Sequence, residues 1–334
     1  MTALSFASPI QAGIGQMADF RSYLEHSLIN PFTINLKDCS VIEVVLACMK
    51  AKSKLHPKYC RNMSGLLFNL RALEEQYRVK LMPIQVTDIF WGYFISFCES
   101  RGLKNSTIAT MSSQLKAVIS WASKYNAQIS PTYGEVNPPK STPTEIALTA
   151  DEVSRIAYFD IDRFYSNRRK DFREKRHQVR DHFVLSCNLY QRFSDMRRVT
   201  PECFSRNTFT ITQQKTGNVA VVNIDKFAID PKTTYRILER YGFYAPYKGD
   251  IGNYNDRLHI LMRDIGFTDL VRIEERINGK LVVTTIPKWK MISSHCSRRT
   301  AITIGVLRGH NVHALKRCSG HSNLDTFDRY IIDD

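Results

Sequence analysis

The chain has 334 residues, with 47 Lys plus Arg against 32 Asp plus Glu for a formal charge of +15, and 43% of its residues are hydrophobic. At roughly 150 residues per domain this length predicts two domains, and the apolar content excludes disordered, collagenous and acidic-tail chains. The longest apolar run, residues 41–49, is broken by Glu43 and falls short of the ~20 residues of a bilayer span, and the first residues lack a secretory signal pattern.

These readings predict a cytoplasmic protein with no membrane partner. Residues 1–147 carry a net +5 and residues 148–334 a net +10, so both parts favour a polyanion, of which nucleic acid is the commonest. Residues 1–38 show no period and read as an N-terminal extension or arm. Apolar spacings of three and four then predict helices over about 40–52, 59–77, 87–100 and 106–122, with Asn105 or Ser106 as the last N-cap and Trp91, Phe94 and Phe97 in the core. They predict a helical domain over 39–135. Pro138, Pro139 and Pro143 with small polar neighbours predict an extended linker over 136–147.

The second domain, 148–334, opens at a Thr149 cap with acidic residues in its first turn. Residues 207–213 and 219–224 are rich in β-formers and flank Lys215-Thr-Gly-Asn218, which predicts a hairpin. Asn278-Gly279 predicts a second hairpin. From Ser293 onward the pattern is helical, with breaks expected at Gly305, Gly309 and Gly320. The fold class is mainly α with a small β-sheet (α+β).

Several residues have the chemistry to handle a phosphate. Arg168, Arg169, Lys170, Arg173 and Arg176 lie in a basic segment, 163–180, that reads either as a DNA-backbone surface or as a solvated helix face. Arg192 and Asp195 stand three apart, as do His295 and Arg298, so each pair shares a helix face. Tyr330 follows Gly320-His321 by nine residues. On one straight helix those two side chains point apart, and convergence requires a break between them. His310 and His313 lack a third ligand at zinc-site spacing, and the eight cysteines lack paired spacing, so they read as reduced thiols and no metal or other cofactor is called for.

In order along the chain, Arg192 with Ser194-Asp195, Lys215 in a hairpin, His295-Cys-Ser-Arg298, Gly320-His321 and Tyr330 resemble the tyrosine recombinase family, the phage-integrase type. The resemblance implies a SAM-like helical core-binding domain followed by the catalytic domain of that family. It implies an enzyme, a DNA strand transferase that cuts and rejoins specific duplex sites through a 3′-phosphotyrosyl bond, without metal or ATP. By that resemblance Tyr330 is the nucleophile, Arg192 and Arg298 bind the phosphate, Lys215 protonates the leaving oxygen, His295 and His321 assist proton movement, and Asp195 holds the pocket. It also implies a monomer that assembles as a tetramer on paired sites. Two departures stand out: Leu189-Tyr190-Gln191 replaces the small-Gly-Leu usual before the first arginine, and Arg299 replaces a second histidine. The alternatives are a type IB-like topoisomerase, which generally has Lys or Arg at the position of His295, and a non-catalytic DNA-binding regulator.

Overall fold

The structure, a computed structural model, describes residues 35–53, 57–139, 144–277 and 280–332. Most of the expected N-terminal extension and the Asn278-Gly279 turn therefore lie outside the described residues. The chain divides into two compact units, residues 1–142 with 275–282, and residues 143–274 with 283–334. Residues 275–282, assigned above to the second domain, thus group with the first, where Glu275 accepts a hydrogen bond from Lys104 Nζ at 2.9 Å.

In the first unit, α1 (Val41–Ser53), α2 (Pro57–Tyr77), α3 (Asp88–Ser100) and α4 (Asn105–Ala122) turn their apolar stripes inward. Val44, Leu66, Leu70, Phe94, Ile108 and Leu115 lose all solvent contact, each contributing about 1.5–3 kcal/mol. Trp91 is buried with them, and its indole N–H donates to the Tyr133 carbonyl at 3.0 Å, so its polar edge is satisfied. Helix α4 starts one residue before the expected caps, with Lys104 at the N-cap. Asn105 falls inside the cap, as the first helical residue, and its side chain is buried.

In the second unit the Thr149 cap forms as expected: Glu152 N–H donates to Thr149 Oγ1 at 3.1 Å and Thr149 N–H donates to Glu152 Oε2 at 3.0 Å. This capping box opens α5 (Ala150–Tyr158), followed by α6 (Ile161–Phe164) and the central α7 (Lys170–Leu189). The last turns of α7 are buried, with Phe183, Val184, Leu185 and Leu189 out of contact with solvent. After α8 (Phe193–Met196) come β1 (Phe204–Ser205), β2 (Thr208–Thr212) and β3 (Val219–Asn223), an antiparallel sheet in that order. Phe209 faces Val222 and Ile211 faces Ala220 across β2 and β3, and this alternating register sends all four into the core.

The chain continues through α9 (Ile224–Phe227), α10 (Pro231–Arg240), α11 (Ile251–Ile265), the hairpin β4 (Leu270–Ile277) and β5 (Lys280–Pro287), and three helices, α12 (Ser294–Leu307), α13 (Val312–Ser319) and α14 (Leu324–Asp328). Helix α12 packs along α7, and α13 lies against β3. Gly309 and Gly320 end helices at φ +73° and +65°, where a side chain is strained. Gly305, in contrast, does not break α12. A Cβ there would stand 2.7 Å from Leu315 Cδ2 and 3.0 Å from the Tyr190 hydroxyl, so this glycine permits close packing of α12 on α13 and α7.

Candidate active site

The first turn of α12 carries two of the expected residues. His295 is exposed, whereas Arg298, one turn on, is fully buried. The guanidinium of Arg298 donates to the Tyr190 carbonyl at 3.0 Å and stands 3.0 Å from His321 Nε2. Among the described residues no carboxylate lies within ion-pair distance of it. Unpaired burial of a cation costs several kcal/mol, and burial with the charge of Arg192 lowers the Arg298 pKa to about 9. This pocket favours an incoming anion.

Tyr190, which ends α7, stands where the resemblance expects glycine, and its φ of +61° explains that expectation. A bulky residue there costs about 1–2 kcal/mol, offset by hydrogen bonds at both ends: the hydroxyl donates to the Phe227 carbonyl at 2.9 Å, and the carbonyl accepts from Arg298. Arg192 follows, partly buried at the start of α8, and donates to Gln213 Oε1 at 2.7 Å. Asp195, fully buried, accepts from the Gln214 amide at 2.8 Å and so ties α8 to the β2–β3 loop.

Lys215 lies in that loop, as expected, and its side chain is exposed. The loop closes through Gly217 N–H to the Gln213 carbonyl at 2.9 Å, with Gly217 at φ +72°. No described residue accepts a hydrogen bond or ion pair from Lys215.

The break required between His321 and Tyr330 is present. Gly320 ends α13 in a left-handed conformation, Asn323 caps the short α14 by accepting from the Asp325 amide at 2.9 Å, and buried Phe327 anchors that helix. The chain then turns at Tyr330, whose carbonyl accepts from Thr303 Oγ1 of α12 at 3.1 Å. The Tyr330 ring centroid consequently lies 4.8 Å from that of His321 and 5.2 Å from that of His295, with the Arg298 guanidinium carbon 5.5 Å away.

Solved structures with the same fold include DNA recombination proteins. The Tn1549 transposon integrase in complex with a circular intermediate DNA superposes with a TM-score of 0.60 at 15% identity, covering 88% of this chain and 95% of that one. The lambda integrase tetramer bound to a Holliday junction gives 0.59 at 15% identity over 99% and 89% of the two chains. The XerH site-specific recombinase bound to palindromic difH gives 0.57 at 12% identity over 89% and 82%. The chain has the tyrosine-recombinase fold. No family model and no curated protein matches it by sequence.

Within this recombinase fold the histidines are held neutral. Desolvation and the charges of Arg298 and Arg192 lower the His321 pKa to about 3, and desolvation with Arg299, Arg298, Arg192 and Lys215 lowers that of His295 to about 4. The hydrogen-bond network assigns the His321 tautomer. Ser319 Oγ donates to the Leu315 carbonyl and so accepts from His321 Nδ1 at 2.8 Å, while one Arg298 guanidinium nitrogen stands against the ring, 3.0 Å from Nε2 and 3.3 Å from Nδ1. His295 makes no hydrogen bond to any described residue.

The basic segment is only partly open. Arg168, Arg169 and Lys170 are exposed and Arg173 is half-buried. Arg176 departs from the expected DNA surface: it is buried, donates to the Arg257 carbonyl at 2.8 Å and covers the Phe172 ring at 4.8 Å, because its long stem packs as an apolar side chain. Arg169 pairs with Asp171, and Arg173 with Asp162. His310 packs on Phe227, and no cluster of metal-binding side chains is found among the described residues.

Sequence reasoning missed two residues in the centre of the recombinase fold, Gln191 and Gln213, both buried. One signal was present. Phe209, Ile211 and Gln213 occupy alternate, inward positions of the β2 segment, so the last is a polar side chain in a core register, which needs buried partners.

Proposed function

We propose that this chain is a site-specific DNA recombinase that cleaves and rejoins duplex DNA through a 3′-phosphotyrosyl intermediate. The observation that supports it most is the convergence of His295, His321 and the unpaired Arg298 guanidinium on the ring of Tyr330. A phenol beside permanent positive charge and neutral imidazoles is the equipment of metal-free phosphoryl transfer.

In this mechanism the scissile phosphate enters beside Arg298 and Arg192, whose guanidinium groups bind its non-bridging oxygens and remain as negative charge builds up. The Tyr330 oxygen attacks phosphorus while the bond to the 5′ oxygen breaks. The phenolic proton passes to His295, which is neutral and makes no hydrogen bond to any described residue, and His321, its Nδ1–H held by Ser319, packs against the Arg298 guanidinium that binds the phosphate. Lys215 gives a proton to the departing 5′ oxygen. The phosphotyrosyl bond conserves the phosphodiester, so a 5′-hydroxyl from a second duplex reverses the step without ATP, and neither step calls for a metal. Asp195 keeps the lysine loop against α8.

The partner in this reading is duplex DNA at specific sites, bound by the helical core-binding domain, residues 39–135, and by the catalytic domain, with 136–147 as linker and with Arg168, Arg169, Lys170 and Arg173 along the backbone. Assembly is a tetramer on paired sites, as in the lambda integrase tetramer bound to a Holliday junction, and the setting is the DNA of the cytoplasm. The test is incubation with DNA from the flanks of its own gene in EDTA. Wild type should form a denaturant-resistant protein–DNA adduct and Tyr330→Phe should bind DNA without forming one. Strand cleavage that requires added metal, or an adduct retained by Tyr330→Phe, would overturn the reading, and relaxation of plasmids lacking any such site would return the topoisomerase alternative.

A further inference from the structure

Arg192 has no acidic partner among the described residues, and its guanidinium is held by one side chain, Gln213, through the 2.7 Å bond to Oε1. That amide is 1% exposed and makes three further bonds. Its Nε2 donates to the Ser319 carbonyl at 2.7 Å and to Gln191 Oε1 at 3.1 Å, and its Oε1 also accepts from Thr216 Oγ1, one residue past Lys215, at 3.1 Å. Gln191 in turn donates to the Cys318 carbonyl at 2.8 Å, next to Ser319, whose hydroxyl meets His321. Gly320 lies directly against this side chain, for a Cβ at Gly320 would fall 2.6 Å from the Gln213 amide. A single amide thus contacts the elements that carry Arg192, Lys215 and His321.

The chemistry of the amide matters as much as its position. A carboxylate at this point would hold Arg192 equally well and cancel the charge needed at the phosphate, whereas an amide oxygen orients the guanidinium and leaves its full charge for the substrate. We infer that Gln213 is a positioning residue of the strand-transfer reaction, the neutral acceptor that fixes Arg192 in register with the lysine loop and the Gly320-His321 turn. This inference rests on the recombinase reading above.

The experiment follows adduct formation on a nicked duplex from the DNA flanking its own gene, at saturating DNA, with affinity measured in parallel. Gln213→Met fills the same space without hydrogen bonds, and Gln213→Glu keeps the acceptor for Arg192 but adds charge and gives up the two bonds that Nε2 donates. Both should lower the adduct rate by about 100-fold, the scale of a misplaced reacting group, while DNA affinity stays within about threefold. In an Arg192→Lys background, which has already lost the fork, Gln213→Met should cost less than about threefold more. The near-isosteric Gln213→Glu keeps the test decisive should Gln213→Met fold poorly. An active wild type with either Gln213 variant at full rate, or with losses that multiply independently of Arg192, overturns this inference alone. A wild type that forms no adduct removes the recombinase reading and this inference with it.

Discussion

Arg298 and His182 show two ways in which this protein keeps a titratable group out of water. Arg298 retains its charge and awaits an anion. His182 gives its charge up: it is fully buried within a ring of Phe193, Tyr247 and Tyr254, both ring nitrogens lack a partner, and desolvation lowers its pKa to about 3. The unfolded chain, with a histidine pKa of about 6.5, takes up that proton first, so stability falls as pH drops below about 6.5. His182→Phe removes the titration and two unsatisfied nitrogens. Urea unfolding at pH 7.5 and 5.5 should show wild type losing about 1.4 kcal/mol more than the variant over that interval; equal losses would place the titration elsewhere. Lys215 is tested through its leaving group. Lys215→Ala should fail on ordinary DNA and recover on DNA whose scissile 5′ bridging oxygen is sulfur, which needs little protonation. Equal defects on both substrates would reassign the acid.

Among the elements, the α12–α13 contact at Gly305 sets the distance between Arg298 and His321. Gly305→Ala places a methyl group 2.7 Å from Leu315 Cδ2, and overpacking of this kind costs about 1–3 kcal/mol. A thermal melt should show that loss together with slower adduct formation, because α13 carries the Gly320-His321 turn; an unchanged melt would mean that Leu315 moves aside freely. The same contact shows where sequence reading stops. Helices α1 to α4 and the capping box at Thr149 follow from apolar period and local hydrogen bonding, which neighbours in the chain determine. Gly305 offers the same local signal as Gly309, yet one lies inside a helix and the other ends it. The difference comes from Leu315 of the next helix and from Tyr190, more than a hundred residues away. The hydrogen-bonded amides Gln191 and Gln213 escape for a related reason: neither charge nor period marks them, and their partners at Cys318 and Ser319 are more than a hundred residues away. His295, Arg298, His321 and Tyr330 could be singled out as candidates because their residue types and order carry the chemistry, and the nine-residue offset of the last two already required a break between them.

For the whole molecule, the +15 charge spread over both parts of the chain predicts binding dominated by phosphate contacts. Affinity for duplex DNA should fall by about 10³-fold or more between 50 and 200 mM salt if six or more phosphates are neutralised, and a flat dependence on salt would contradict a backbone-bound duplex. Charge of this kind favours a polyanion such as DNA and is silent on cleavage. The central claim is that Tyr330 becomes the covalent link, and the most direct measurement is to identify that link. A nicked duplex that loses its short 5′ fragment traps the intermediate; digestion of the trapped protein in EDTA, followed by mass spectrometry, should yield the peptide containing Tyr330 with nucleotide attached through the 3′ side of the break. Nucleotide on another residue, attachment through a 5′ phosphate, or cleaved DNA with no attached peptide would contradict the account.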